Sequence, residues 1–428
     1  PLRQPVYVVD GCRTPFLKAR GEPGPFSAAD LAVAAGRPLL MRQPFEPDHL
    51  DQVIVGCVLP HHDEVNVARA AAVRLGCSNA VPAWSVQRNC ASGMQAVDSA
   101  IRAIAAGDAD LILAGGTEAM SRAPVLLNEA LVAWLARWRA AAGGWARART
   151  VARFRAAYLR PVPALGLALS DAVSALPMGQ VAEELAYRFH IDREAMDRYA
   201  VESHRRLVAA QDNGRMTEVV PIYDYQGRYY DHDDGVRRDT NLAALAALRP
   251  AFDARFGNVT AGNRAYLADG AAWLVLAGEE AVRRFGLTVR ARVSECHWAG
   301  LDAVQNGLGP IHAITPLLRR RGWALADVDY WEINEVFAAQ VIACLAAWAD
   351  DGYCRGELGA DGALGQVDQT HLNVDGGAIA AGHPLGAAGA RLVLHLVEVL
   401  AHNGARRGVA AMCTGGGQGG ALLVERDA

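Results

Sequence analysis

The stretch "VPAWSVQRNCASGMQAVDSAIRAIAAGDADLILAGG", Val81 to Gly116, decides how this chain is read. An apolar segment runs to Cys90. Helix-like spacing then extends from about Ser92 to Ala106, and "ADLILAGG" (109–116) reads as a buried strand. Strand, helix and strand in that order signal a layered α/β domain. The junction holds a thiol, Cys90, among small neighbours Ala91, Ser92 and Gly93.

The same grammar extends outward. "VYVVD" (6–10) and "DQVIVGCVL" (51–59) read as strands, with the helical "FSAADLAVAAGRPLLM" (26–41) between them. Late in the chain, "VDYWEINEVFAAQVIACLAAWA" (328–349) reads as strand, turn and helix. "GHPLGAAGARLVLHLVEVLAHNG" (382–404) is a helix entered through glycines, and "GVAAMCTGGGQGGALLVERD" (408–427) is strand, glycine turn and strand. Two similar α/β halves are expected, although the identity between them is too weak for a repeat.

A different region lies between them, about 121–250. From Ser121 to Ser170 it holds eight arginines and a single acid, Glu129, within a chain of net charge −4. Leu131, Trp134, Leu135 and Trp138 share one helical face, and Gly143-Gly144 breaks that helix. Val151, Phe154 and Tyr158 mark a second apolar stripe. The pattern fits a helical hairpin packed on its own protein or on a partner. A basic amphipathic element lying on an anionic membrane is the second reading.

At 428 residues the chain is too long for one simple core. Its 52% hydrophobic and 21% charged residues suit a soluble protein, and the small negative net charge argues against nucleic-acid binding. Eight scattered cysteines include no CxxC and no histidine pair at zinc spacing, so no structural metal is expected. There is no secretory signal and no run of 18 apolar residues, so the expectation is a reduced, cytoplasmic protein.

Five side chains offer chemistry. A thiolate attacks carbonyls, and a helix N-terminus lowers a thiol's pKa, which gives Cys90 a role beyond filling space. His383, between Gly382 and Pro384 at the start of a helix, is fixed in direction and reachable. Cys413 stands at a strand end before glycines that expose backbone N–H groups. Asn334 and Glu335 occupy a strand-to-helix turn, where they either cap the helix or line the carboxyl edge of the sheet. Two motifs mislead. Gly415, Gly417 and Gly420 satisfy GxGxxG, but the following "ALLVERDA" leaves no room for a helix. "DHDDG" (231–235) lacks the distal acid of a calcium loop.

Taken in order, "RTPF" (13–16), "NCASGMQA" (89–96), "GGTEAMS" (115–121), "MGQVAEELA" (178–186), "LRPAF" (248–252), "TAGN" (260–263), "NEVFA" (334–338), "GGAIAAGHPLGAAG" (376–389) and "CTGGGQG" (413–419) resemble the thiolase family over nearly the whole chain. The resemblance implies two βαβαβαββ halves forming a five-layered α-β-α-β-α core with an inserted loop domain. It assigns 1–120 plus 251–290 to the N-terminal half, 121–250 to the insert and 291–428 to the C-terminal half. It also implies a 3-ketoacyl-CoA thiolase of fatty-acid β-oxidation that uses coenzyme A as a substrate and needs no other cofactor.

In that scheme Cys90 accepts the acyl group and His383 activates it. Asn334 positions a water in the oxyanion hole. Cys413 exchanges a proton with the acetyl carbanion, and the backbone N–H groups of Cys90 and Gly415 form a second hole. Met178, Arg237 and Ala265 fall at coenzyme A-binding positions, although Ala265 stands where the family carries a hydroxyl. The Arg-rich insert looks most like the β subunits of fatty-acid oxidation complexes. The family implies a homodimer or tetramer, the likeness of the insert implies a hydratase/dehydrogenase α subunit as partner, and the basic pattern of 121–170 suggests peripheral membrane contact. The alternatives are an acetoacetyl-CoA thiolase working in the Claisen direction and a coenzyme A-binding relative without turnover. A decarboxylating ketoacyl synthase on the same fold is disfavoured by the second cysteine, Cys413.

Overall fold

Two runs of alternating strand and helix build the architecture, in a computed structural model that describes residues 4–170 and 173–427. The first run is β1 (Val6–Arg13), α1 (Ala28–Met41), β2 (Gln52–Gly56), α2 (Val67–Arg74), β3 (Ala83–Val86), α3 (Ser92–Ala106) and β4 (Leu111–Ala119). The chain then leaves the layers through α4 (Glu129–Ala140), α5 (Gly144–Ala152), α6 (Met178–Arg188) and α7 (Arg193–Asp212), and returns as β5 (Ala268–Ala277). The second run is β6 (Ala291–Gly300), α8 (Gly309–Arg321), β7 (Tyr330–Ile333), α9 (Ala338–Ala349), α10 (Leu385–His402), β8 (Arg407–Thr414) and β9 (Gln418–Glu425). It repeats the βαβαβαββ order with its third strand reduced to a single bridge, Leu372 beside Trp331.

The strands order as β3-β2-β4-β5-β1 and β6-β9-β8-β7. The half-sheets are stitched edge to edge where Val6–Val8 pair antiparallel with Ala291–Val293. Helices α1 and α2 cover the outer face of the first half-sheet, and α8 and α9 that of the second. Helices α3 and α10 fill the space between. These are the five layers the resemblance implies. Covered on both faces, β4 and β5 are buried at every residue, which explains their unbroken runs of apolar and small side chains.

Helix α10 is long and apolar enough to cross a membrane by length and composition, yet it is the middle layer, buried from Leu385 to Leu400. Its polar members are paired: Arg391 with Glu332 at 3.0 Å, His395 with Glu218 at 3.0 Å and Glu398 with Arg290 at 2.6 Å. Buried charges survive in such a layer only when paired.

Close packing without Cβ atoms brings the N-terminal turns of α3 and α10 together. A Cβ on Gly93 would lie 2.5 Å from the Gly386 carbonyl oxygen, and one on Gly389 would lie 2.5 Å from the Met94 nitrogen. A Cβ on Gly116 of β4 would lie 1.9 Å from the same Gly386 oxygen. Gly116→Ala is therefore expected to cost about 3 kcal/mol, since backbone rather than a flexible side chain must yield. Urea unfolding reads this directly, and unchanged stability would show that α10 is free to shift.

The false leads resolve physically. The GxGxxG match is the β8–β9 hairpin, whose Gly416 and Gly417 take φ of 85° and 68° in the turn. In "DHDDG", Asp233 pairs with Arg13 at 2.7 Å and Asp234 with Arg20 at 3.0 Å. The basic segment is a helical hairpin, as its periodicity predicts, and it packs on itself. Trp134 stacks on Trp138, meets Phe154 edge-on, and donates to the Thr150 carbonyl at 2.8 Å. No residue of α4 or α5 is buried.

Candidate active site

Cys90 sits in a short loop between β3 and α3, pinned from two sides. Asn89 takes φ of 43°, a left-handed conformation that asparagine tolerates better than most residues, and its Nδ2 donates to the Gly415 carbonyl at 3.0 Å. Thr414 Oγ1 donates to the Arg88 carbonyl at 2.9 Å, and Ser92 Oγ donates to the Asn89 carbonyl at 2.6 Å. The Cys90 loop is thereby fastened to the β8–β9 turn, which brings Cys90 and Cys413 into one site. The Gly415 N–H points at the Cys90 sulfur, and charge on Cys90 acts on Cys413.

The expected lowering of the Cys90 pKa does not occur. Although the residue keeps some exposure, burial of the sulfur pushes it up to about 11, against the Gly415 N–H that opposes the rise. Two units correspond to roughly 3 kcal/mol, whereas a helix terminus supplies about 0.3–1 kcal/mol. Desolvation outweighs the dipole. Cys413 is raised well above the ordinary thiol value, first by burial and then by the nearby Cys90. His383 is pushed down to about 4 by burial, with Arg391 adding to the effect. Both thiols and the imidazole are therefore neutral at pH 7. Alkylation of Cys90 by iodoacetamide is therefore expected to rise about tenfold per pH unit from 7 to 9, following the thiolate fraction. A plateau already reached at pH 7 would contradict this charge state.

His383 is carried by the turn ahead of α10. Its N–H donates to the Tyr266 carbonyl at 3.0 Å, and it bridges to Leu267. Asn334 follows β7 and donates its N–H to the Ala411 carbonyl at 2.9 Å, which sets it beside the strand bearing Cys413. Neither Asn334 nor Glu335 caps α9, which starts at Ala338 with no side-chain cap. Instead Glu335 is buried and accepts from Tyr199 at 3.0 Å, Ser203 at 2.6 Å, Asn373 at 2.9 Å and the Ile379 N–H at 3.3 Å. It locks the Asn334 turn to the segment leading to His383. Both ring nitrogens of His383 and both side-chain polar atoms of Asn334 are buried with no hydrogen-bond partner among the described residues, although the backbone N–H of each is bound. Buried polar atoms left this way cost roughly 1–3 kcal/mol each, so they mark where a polar ligand belongs.

A cavity of about 210 Å³ adjoins this site, lined by Lys18, His204, Arg237, Arg264, Tyr266 and Ile379 among others. Of the three positions expected to bind coenzyme A, Arg237 lines it. Ala265 is buried just behind the wall, with its N–H bound to the Val336 carbonyl at 2.9 Å. Met178 starts α6, accepts from Asn306 at 3.1 Å and packs on the outer core of the second half. The sequence reading passed over Asn89, Lys18, His204 and Arg264. An arginine inside the small-residue run "TAGNRA" was the available signal.

The site thus presents two thiols, a buried neutral imidazole and a glycine turn on a five-layered α/β core. Residues 6–280 match the family model described as "Thiolase, N-terminal domain" and residues 287–426 match "Thiolase, C-terminal domain". The chain belongs to the thiolase family and is an acyltransferase of that family. It is 39% identical to the beta-ketoadipyl-CoA thiolase of Pseudomonas aeruginosa, over 99% of this chain and 100% of that protein. It is 35% identical to the acetyl-CoA acetyltransferase of Allochromatium vinosum, over 99% and 100%. The crystal structure of human mitochondrial 3-ketoacyl-CoA thiolase in complex with CoA superposes with a TM-score of 0.85 at 34% identity, covering 100% of this chain and 99% of that one.

Proposed function

We propose that the protein is a 3-ketoacyl-CoA thiolase working in the degradative direction of fatty-acid oxidation. The observation that carries this reading is that the Cys90 loop is fastened to the turn after Cys413, while the Asn334 turn is bound to the strand of Cys413 and, through Glu335, to the segment leading to His383, with the side-chain polar atoms of His383 and Asn334 left unpartnered. Cys90 Sγ attacks the C3 keto carbon as its proton passes to His383. The C2–C3 bond breaks, its electron pair stays on C2, and Cys413 delivers a proton there to release acetyl-CoA. The thiol of free coenzyme A then gives its proton to the Cys413 thiolate and attacks the acyl–Cys90 thioester; the Cys90–acyl bond breaks and Cys90 leaves as a thiol, taking back the proton held by His383. The N–H groups of Cys90 and Gly415 face one developing oxyanion, while His383 and an Asn334-bound water face the other. Coenzyme A is a substrate, and the scheme calls on no further cofactor. Exposed Arg237 and partly exposed Lys18 suit its phosphates.

The test is acetyl-CoA release from 3-ketoacyl-CoAs of four to sixteen carbons with free coenzyme A. No release at any length would sink the reading. Turnover confined to four carbons, with faster condensation of acetyl-CoA, would favour acetoacetyl-CoA synthesis, the activity its similarity to an acetyl-CoA acetyltransferase brings forward.

The hairpin extends the proposal to a cytoplasmic enzyme docked on an anionic membrane or a hydratase/dehydrogenase subunit. The eight arginines of residues 121–170 carry no ion pair among the described residues, and Trp145 is 87% exposed. Each basic residue near an anionic surface contributes roughly 1 kcal/mol, less at high salt. Changing Arg137, Arg139, Arg153 and Arg155 to serine is expected to abolish flotation with anionic liposomes or co-purification with such a subunit. No change in either assay would leave the hairpin a structural element.

A further inference from the structure

The loop that follows β2 reads "CVLPHHDEVN" (57–66) and holds two adjacent histidines and two acids. Three of these side chains gather at one point. The ring centroids of His61 and His62 lie 4.0 Å apart, and His61 Nδ1 meets an Asp63 carboxylate oxygen. One metal-ligating atom each from His61, His62 and Asp63 lies within 4.8 Å of the others. No arginine or lysine among the described residues pairs with Asp63, so imidazole is all that answers its charge. The fourth side chain, Glu64, is engaged elsewhere: it accepts from the Ser27 hydroxyl at 2.5 Å and the Ala29 N–H at 3.1 Å.

The turn that presents the three is braced at both ends. Ahead of it, the Val58 and Leu59 N–H groups each donate to the buried Glu118 carboxylate at 2.9 Å, and the Cys57 N–H donates to the Val86 carbonyl at 3.2 Å. Within it, the Glu64 N–H closes onto the His61 carbonyl at 3.0 Å. Behind it, Glu64 is fixed to the start of α1, and α2 begins at Val67. A braced turn has little backbone freedom left to lose when an ion arrives. Nitrogen and oxygen ligands at about 2.0–2.2 Å from one ion sit roughly 3–3.5 Å from each other. His62 and Asp63 are exposed, so their side chains can turn to that spacing while the backbone stays in place.

We propose that His61, His62 and Asp63 bind one divalent transition-metal ion of the zinc, cobalt or nickel type. Two imidazoles and a carboxylate suit such an ion, whereas magnesium and calcium take oxygen ligands. The spacing is not that of a structural zinc site, where four ligands close around the metal; three leave an outward position to water. The ion sits on a loop that Glu118 joins to the first turn of α10, because Glu118 also accepts from the Gly386 N–H at 2.9 Å. Thiolysis makes no call on this ion, so the inference is independent of the thiolase reading.

The test titrates Co²⁺ into the full chain, without a histidine tag and stripped by a chelator. Saturation at one ion per chain is expected, with a visible d–d band and no sulfur-to-cobalt charge-transfer band in the near ultraviolet. Zn²⁺ should displace the Co²⁺ and raise the Tm. Even the outer partners of metal ligands matter about 10–100-fold in affinity, so His61→Ala and His62→Ala should each weaken binding about 100-fold or more, and Asp63→Asn about tenfold or more. The Zn²⁺-induced rise in Tm should vanish in both histidine variants. An unchanged circular dichroism spectrum checks that each variant is folded. Absence of saturable Co²⁺ binding to the unmutated chain overturns the proposal. So does a sulfur charge-transfer band, which would assign the ion to a cysteine, or equal affinity in the unmutated chain and both histidine variants, which would leave an adventitious ion only.

Discussion

Cys90→Ala is expected to reduce thiolysis by about 10⁴-fold or more and to remove every covalent acyl adduct from the protein. Losing the attacking atom forces coenzyme A to strike the 3-keto carbon directly, and removal of a nucleophile from such a site elsewhere costs up to about 10⁶. The fold should be unaffected. The loop is held by Asn89, Ser92 and Thr414 rather than by the sulfur, and Cys90 is not among the fully buried core residues. Intact-mass analysis after incubation with acyl-CoA decides the matter. A stoichiometric adduct persisting in the variant, on Cys413 or elsewhere, would reject Cys90 as the acyl acceptor.

Cys413→Ala is expected to separate the two half-reactions. Burial keeps the Cys413 thiol protonated across the physiological range, the state a proton donor to C2 requires. Acid–base partners of this kind contribute about 10²–10⁴-fold, so carbon–carbon cleavage should fall by about 10³. Acylation of Cys90 by acetyl-CoA needs no proton at C2 and should persist within about tenfold. Deuterium exchange into the methyl group of acetyl-CoA provides the direct reading, and exchange at the original rate in Cys413→Ala would move this role to another residue. Alanine is well tolerated sterically here, because Cys413 lies on β8 opposite Gly419.

Much of this protein was legible in the chain of letters because local rules and burial agreed. The apolar runs at 111–119 and 268–277 are the signature of strands covered on both faces, and the glycine-entered segment at 385–402 has the composition of a central helix. The thiols, the histidine and Asn334 were readable because each follows a strand or precedes a helix, where an α/β fold opens its sites. Charge state was not readable. The helix terminus behind Cys90 argues for a low pKa, and only the packing density around the sulfur reveals that desolvation exceeds the dipole. Glu335, read locally as a cap, is instead a long-range tie among Tyr199, Ser203, Asn373 and Ile379, because its partners lie 38 to 136 residues away in the chain. Arg264, which lines the 210 Å³ cavity with no carboxylate partner among the described residues, has the same history. Nothing in its neighbours along the sequence distinguishes a solvated arginine from an unpaired one in a cavity wall. That difference depends on the absence of a carboxylate arriving from other segments, and three-dimensional packing alone fixes which segments arrive.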